Sequence, residues 1–252
     1  MLLELKNDII YGPVNSRRLG RSLGVNVLPR HCKVCSFDCL YCQYGFKDPN
    51  AAAATPETQF PTAQEVARSL EAALAALSAP PAFITFSGNG EPTLHPRFPD
   101  VVQAVTRVRD TAAPSARTAI LSNASTVSDP AVREALARLD ERIMKLDAGT
   151  DAMLLTYNRP RGGLDLQRIV SGLAALGDVT VQALFTGGPL GNLTEEHVQA
   201  WTGRLLEVRP RRVQIYTLAR TSPCQRLTQL SREDLLPVKA KLRAAGIRAE
   251  VF

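Results

Sequence analysis

From residue 60 onward the chain alternates short apolar runs with longer amphipathic ones, and this alternation narrows the possible folds more than any other feature. Residues 82–86, 118–121, 142–146, 179–185 and 212–218 are compact runs rich in branched and aromatic side chains, as buried strands are. Helical stripes lie between them. Val66, Leu70, Ala73, Leu74 and Leu77 form the first, opened by a capping box of Thr62 and Glu65. Phe98, Val101, Val102, Val105 and Val108 form the second, and a helix beginning at Pro130 and running through Leu139 the third. Three more follow around Leu166 to Leu176, Val198 to Val208 and Leu235 to Leu242. With the apolar run 24–28 counted first, there are six strand–helix units, and 247–252 adds a further strand. Apolar strands joined one to the next by helices imply a parallel sheet covered by helices. A complete eight-unit barrel typically takes ~250 residues. Six units therefore point to an α/β fold with a partial (β/α)6 TIM-like barrel, helices outside, with a flat doubly wound sheet as the alternative. The chain reads as one domain, residues 1–22 an N-terminal extension and 23–252 the partial barrel. Either architecture places a site at the carboxyl ends of the strands.

The run 24–28 leads into a knot of thiols. Four of the five cysteines, Cys32, Cys35, Cys39 and Cys42, fall within one short loop. Thiols spaced C-x3-C-x2-C turn toward one soft metal centre without backbone strain, whereas a disulfide staple needs an oxidising compartment. Two readings stay open: a four-thiol zinc site in a nucleic-acid-binding protein, and an iron-sulfur cluster, which takes single-loop ligation more readily.

Polar and small residues gather where the strands end. Ser87-Gly88-Asn89-Gly90-Glu91-Pro92 closes the second, its glycines allowing close approach of a ligand and Glu91 offering a carboxylate to an ammonium group. Ser122 and Asn123 end the third strand and are candidates for a carboxylate or ribose, or for a helix-capping turn. Lys145 and Asp147 alternate onto one face of the fourth and need partners if they point inward. Gln182 lies on the fifth; Asp147 and Gln182 are candidates for ribose or substrate. Gln214, Tyr216 and Arg220 lie on the sixth. His197 reads as a surface residue, Cys224 as an inert small apolar one, and the Gly-Pro and Arg17, Arg18, Arg21 segment as a hairpin or basic turn, or an anion contact. Residues 46–61, with three prolines and four consecutive alanines, read as a loop.

The charge balance of +6 admits RNA or another polyanion as a partner. The first ten residues carry Glu4, Lys6 and Asp8, unlike a signal peptide, and no apolar run approaches the ~18 residues of a membrane span. A cytoplasmic, reducing compartment is the expectation. Neither a Ser-His-Asp order nor a phosphate-binding P-loop is present.

The three thiols Cys35, Cys39 and Cys42, with Tyr41 before the last, resemble the signature of the radical S-adenosylmethionine (SAM) superfamily. Gly88-Asn89-Gly90-Glu91-Pro92 resembles its glycine-rich GGEP motif, not letter for letter. Within the superfamily the chain is most similar to a group related to the wybutosine-synthesis (tRNA) enzymes, on residues 12–24, the Cys35 to Gly45 loop, 88–96, 145–149 and 213–220. The resemblance implies a six-unit partial barrel. It implies a [4Fe-4S] cluster on Cys35, Cys39 and Cys42, with S-adenosyl-L-methionine at the open iron, its ammonium held by the Gly88–Glu91 loop and its adenine near Tyr41. It implies reductive cleavage of S-adenosylmethionine to a 5′-deoxyadenosyl radical that takes hydrogen from a substrate, with tRNA as one candidate. Cys32 is a thiol beyond the expected three. No electron-donor domain is visible, so an external flavodoxin- or ferredoxin-type protein is expected to supply the electron.

Overall fold

The computed structural model describes residues 2–46 and 59–252. Most of the loop read at 46–61 therefore lies outside the described residues.

Strands β1 (Ile10–Ser16) and β2 (Gly20–Val25) form an antiparallel hairpin. Then β3 (Phe83–Phe86), β4 (Arg117–Ser122), β5 (Glu141–Lys145), β6 (Thr180–Leu184), β7 (Arg212–Tyr216) and β8 (Ala249–Val251) follow, each parallel to the one before. The sheet keeps strict sequence order, and β1 and β8 are its two edges. Six strands, β2 to β7, are each followed by a helix: α1 (Ala63–Ala75), α2 (Phe98–Ala112), α3 (Pro130–Ala137), α5 (Leu166–Leu176), α6 (Glu195–Val208) and α7 (Arg232–Ala244). A single extra turn, α4 (Asp151–Met153), runs into a π-helical turn at Leu154–Asn158 ahead of α5. This is the partial barrel anticipated from six strand–helix units. No helix of the described residues is long and apolar enough to cross a membrane.

The helices begin where side chains satisfy their first N–H groups. Thr62 and Glu65 form the capping box of α1, Ser231 and Asp234 that of α7, and Asp129, Asp165 and Thr194 cap α3, α5 and α6. Val66 and Leu70 of α1, Val101, Val102 and Val105 of α2 and Leu173 of α5 pack on the outer face of the sheet with Ile84, Phe86, Val181 and Ile215.

The opposite face lines the barrel in layers. Lowest is an ionic clasp: buried Glu141 faces Arg117, Arg211 and Arg212 and accepts from the Thr180 hydroxyl. Above it Ala119, Ile143, Phe83 and Leu121 enclose Leu19, which the β1–β2 turn inserts from below. Next comes a polar row in register, Lys145, Gln182 and Gln214. The cavity lies over this row.

The first strand departs from the apolar run 24–28. It is Gly20–Val25, and residues 26–28 leave the sheet because the Asn26 amide bonds both N–H and C=O of Leu28. A side chain that satisfies the backbone locally competes with the ladder.

Candidate functional site

Beyond β2 the chain forms the thiol loop, and backbone bonds fix it on two sides. Val34 bridges the glycine loop, its N–H donating to Asn89 O at 2.9 Å and its carbonyl accepting from Glu91 N at 2.9 Å. On the other side Leu40 N donates to Tyr157 O and Asp38 N to Asn158 O, seating the loop on the π turn. Lys33 closes its end, donating to Gly45 O at 2.6 Å and lying 3.6 Å from Asp38.

The glycines serve this docking. A Cβ on Gly90 (φ +145°) would stand 1.8 Å from Val34 O, and one on Gly88 (φ +141°) 2.5 Å from Asn26 Oδ1. Their missing side chains make room for the thiol loop and for Asn26, where the sequence had suggested room for a ligand.

The loop, the glycine segment and the strand ends enclose a cavity of about 280 Å³. Cys35, Cys39 and Cys42 line it together with Tyr41, Gly88, Gly90, Glu91, Ser122, Asn123 and Gln182, all anticipated from sequence. Arg18, Lys33, Lys145 and Tyr216 complete its polar wall. Two of the candidate residues stand behind the wall. Asn89 is fully buried and tied to the Lys6 backbone and to Pro29 O. Asp147 accepts from Tyr41 Oη, Asn158 Nδ2 and Leu184 N. Cys32 and Cys224 are not among the lining residues, and Arg220 is exposed. A larger groove of about 560 Å³ follows the outer seam of α1 and α2, away from every strand end.

Two carboxylates behave differently here. Asp147 has Lys145 3.5 Å away, and that ammonium also donates to Tyr41 Oη at 2.7 Å. Burial disfavours the Lys145 cation, but Asp147 together with Tyr216 and Cys39 outweighs it and holds the lysine above its ordinary pKa. Glu91 is 1% exposed, and its Oε1 accepts from Thr93 N, Thr93 Oγ1 and Ser122 Oγ while Oε2 accepts from Asn123 N. Burial still raises its pKa against all four donors. Among the described residues no cation pairs with it. A buried carboxylate facing a cavity without a cation is complementary to an ammonium group.

Burial pushes Cys35 up to about 12, and Cys39 upward too. Asn123 Nδ2 stands 3.5 Å from Cys35 Sγ and Asn158 Nδ2 3.5 Å from Cys39 Sγ. Lys33 lies near Cys42 and Cys35, and despite burial the field of those thiols and of Asp38 raises its pKa. N–H donors and a cation around three thiols are what thiolates on a cluster require. No three Cys, His, Asp or Glu side chains among the described residues are close enough to hold a single ion.

Sequence reasoning missed Asn158, which contacts Cys39, Tyr41 and Asp147 from the π turn. No periodic signal marks a single asparagine in a loop. It also misjudged His197, which is buried, bonds Asp147 O through Nε2 and packs on Phe185.

A family model described as the Radical SAM superfamily matches residues 30–201. A UPF0026 protein of Synechocystis sp. is 32% identical over 224 residues, covering 86% of this chain and 78% of that protein. Among solved structures, Streptococcus suis SuiB bound to S-adenosylmethionine superposes with a TM-score of 0.63 at 14% identity, over 91% of this chain. The chain spans about half of SuiB, 50% of its length. TYW1 with a lysine-pyruvate adduct bound gives a TM-score of 0.63 at 13% identity, over 89% of this chain and 73% of that one. These two likenesses are of fold.

Proposed function

We propose that this chain, which belongs to the radical SAM superfamily, reductively cleaves S-adenosylmethionine at a [4Fe-4S] cluster held by Cys35, Cys39 and Cys42. The superfamily's cofactors are that cluster and S-adenosylmethionine. When bound, the reduced cluster would supply the electron that breaks the sulfonium C–S bond of S-adenosylmethionine, giving methionine and a 5′-deoxyadenosyl radical that takes a hydrogen atom from substrate. The observation that carries the reading is Glu91, a buried carboxylate beside three thiols with no cation among the described residues. It offers its charge to the α-ammonium of S-adenosylmethionine.

The other residues then have definite work. Asn123 and Asn158 donate toward cluster sulfurs and set their electron density. Ser122 and Asn123, locked onto Glu91, present polar groups to the ligand's carboxylate or ribose. Tyr41 lines the cavity beside the thiols, where an adenine would pack. Burial of this wall excludes water from a reactive radical. An external flavodoxin- or ferredoxin-type protein delivers the electron. A tRNA base is our candidate substrate. Arg159 and Arg161, exposed beside the thiol loop, support a polyanionic partner.

The test is anaerobic reconstitution with iron and sulfide, reduction with dithionite, and assay of 5′-deoxyadenosine after adding S-adenosylmethionine. Cys35→Ala, Cys39→Ala and Cys42→Ala are expected to lose both the brown chromophore and cleavage, while Cys32→Ala keeps them. A wild-type protein that takes up zinc, holds no cluster and forms no 5′-deoxyadenosine would overturn the proposal.

A further inference from the structure

The β1–β2 turn puts Leu19 into the apolar layer of the barrel and sends the neighbouring Arg18 upward into the polar row. The Arg18 guanidinium stacks on Tyr216 with 4.8 Å to the ring centroid. Its Nη1 donates to Gln182 Oε1 at 2.7 Å and to Gln214 Oε1 at 3.4 Å. The Tyr216 ring and these two bonds hold it. Nε and Nη2 have no hydrogen-bond partner among the described residues, and no carboxylate there pairs with Arg18. Glu250, next in register beyond Gln214, is taken by Arg248 at 3.3 Å.

A second, independent observation lies alongside. Gln214 is 0% exposed, and its Nε2 is a buried donor with no partner. Gln214 alternates onto the same face as Tyr216, which lines the cavity. Buried N–H groups are nearly always satisfied, so the buried Gln214 Nε2, beside the open Nε and Nη2 of the half-buried Arg18, marks a place where an acceptor oxygen is missing. Both oxygens of a carboxylate or phosphate meet the fork of an arginine held flat against an aromatic ring.

The charges of the cavity agree. Lys145 is balanced by Asp147 and Lys33 by Asp38, which leaves Arg18, among the described residues lining the cavity, as the cation without a carboxylate. We infer that Arg18, with Tyr216, Gln182 and Gln214, is a subsite for the carboxylate or phosphate group of the substrate. This rests on the cavity being the reaction site. The carboxylate of S-adenosylmethionine does not account for it: with its ammonium at Glu91, on the loop after β3, that carboxylate is one carbon away. Arg18 lies against β6 and β7, three strands further round the sheet.

The experiment is calorimetric titration of the reconstituted full-length chain with succinate, with inorganic phosphate and with neutral succinamide, cluster absorbance being recorded for each sample. Saturable binding of succinate or phosphate, and none of succinamide, is expected, the tighter anion naming the group. Arg18→Gln is expected to weaken that binding about tenfold or more, as for loss of a charge-assisted pair. Arg18→Lys should fall between, and Arg107→Gln, on the outer surface, should match wild type. Arg18 variants that hold the cluster and melt like wild type yet bind the anion equally well would overturn the subsite. So would a cluster-loaded wild type that binds neither anion, or competition by S-adenosylmethionine. A chain that never takes up the cluster fails the cofactor proposal instead, which the absorbance reads separately.

Discussion

Replacing Gly90 by alanine tests whether the two loops of the site are one unit. The new methyl would lie 1.8 Å from Val34 O, so the thiol loop must retreat by more than an ångström. Neither bond of the Val34 bridge, both 2.9 Å, survives that shift. Two backbone bonds are worth about 2 kcal/mol net, and a non-glycine residue at a φ of +145° adds about 1–3 kcal/mol of strain. The expected loss is about 3–5 kcal/mol in urea unfolding monitored by Trp201, whose burial between β5 and α6 reports global collapse. Gly203→Ala, in α6 with open space around the new methyl, is the control and should gain up to about 1 kcal/mol. Iron retention by Gly90→Ala should fall as well, because the same shift moves Cys35. A loss below about 1 kcal/mol with full iron content would refute the docking argument.

Glu141→Gln should cost about 1–2 kcal/mol at neutral pH, since Arg117, Arg211 and Arg212 keep partial contact with water. Burial alone would raise the Glu141 pKa, but the Thr180 hydroxyl and the arginines hold it below the ordinary carboxylate value. Its contribution is therefore present above that range and lost as pH falls through the lowered value, so melting curves of variant and wild type should draw together only as pH falls below the ordinary carboxylate range. Asn158→Ala removes donors from Cys39 Sγ, Asp147 and Tyr41. It should lower stability by about 1–3 kcal/mol and move the reduction potential of the reconstituted cluster to more negative values, read by redox titration followed by electron paramagnetic resonance. An unchanged potential would show that this amide does not act on the sulfur.

Much of this could be read from the chain because the relevant signals are local. Phe83, Ile84 and Phe86 put apolar side chains on both faces of β3 because both faces of an interior parallel strand are covered, and Thr62 with Glu65 announces a helix by chemistry alone. Gly88, Glu91, Ser122 and Gln182 were found because strand ends are fixed by the strands before them. Asn89 shows where this fails: it is a buried amide whose side-chain partners, Lys6 and Pro29, lie more than fifty positions away in sequence. Asp147 was placed on the correct strand end, but its partner Tyr41 comes from the thiol loop, and no pattern within either segment shows that contact. His197 looked like a helix-surface residue until α6 was laid against β5 and Asp147 O.

The π turn makes the site depend on chain length as well as on residue identity. Arg159 N reaches back five residues to Leu154 O, one more than an α-helix uses. Deleting the exposed Thr156 would restore ordinary winding while removing no side chain that touches the site. Everything beyond the deletion would then turn by about 100° relative to what precedes it. The carbonyls of Tyr157 and Asn158 would swing away from Leu40 and Asp38, and the Asn158 amide away from Cys39. A gap of one at an unremarkable surface threonine would thus do more damage than most substitutions in the cavity, because here the count of residues is itself a structural specification.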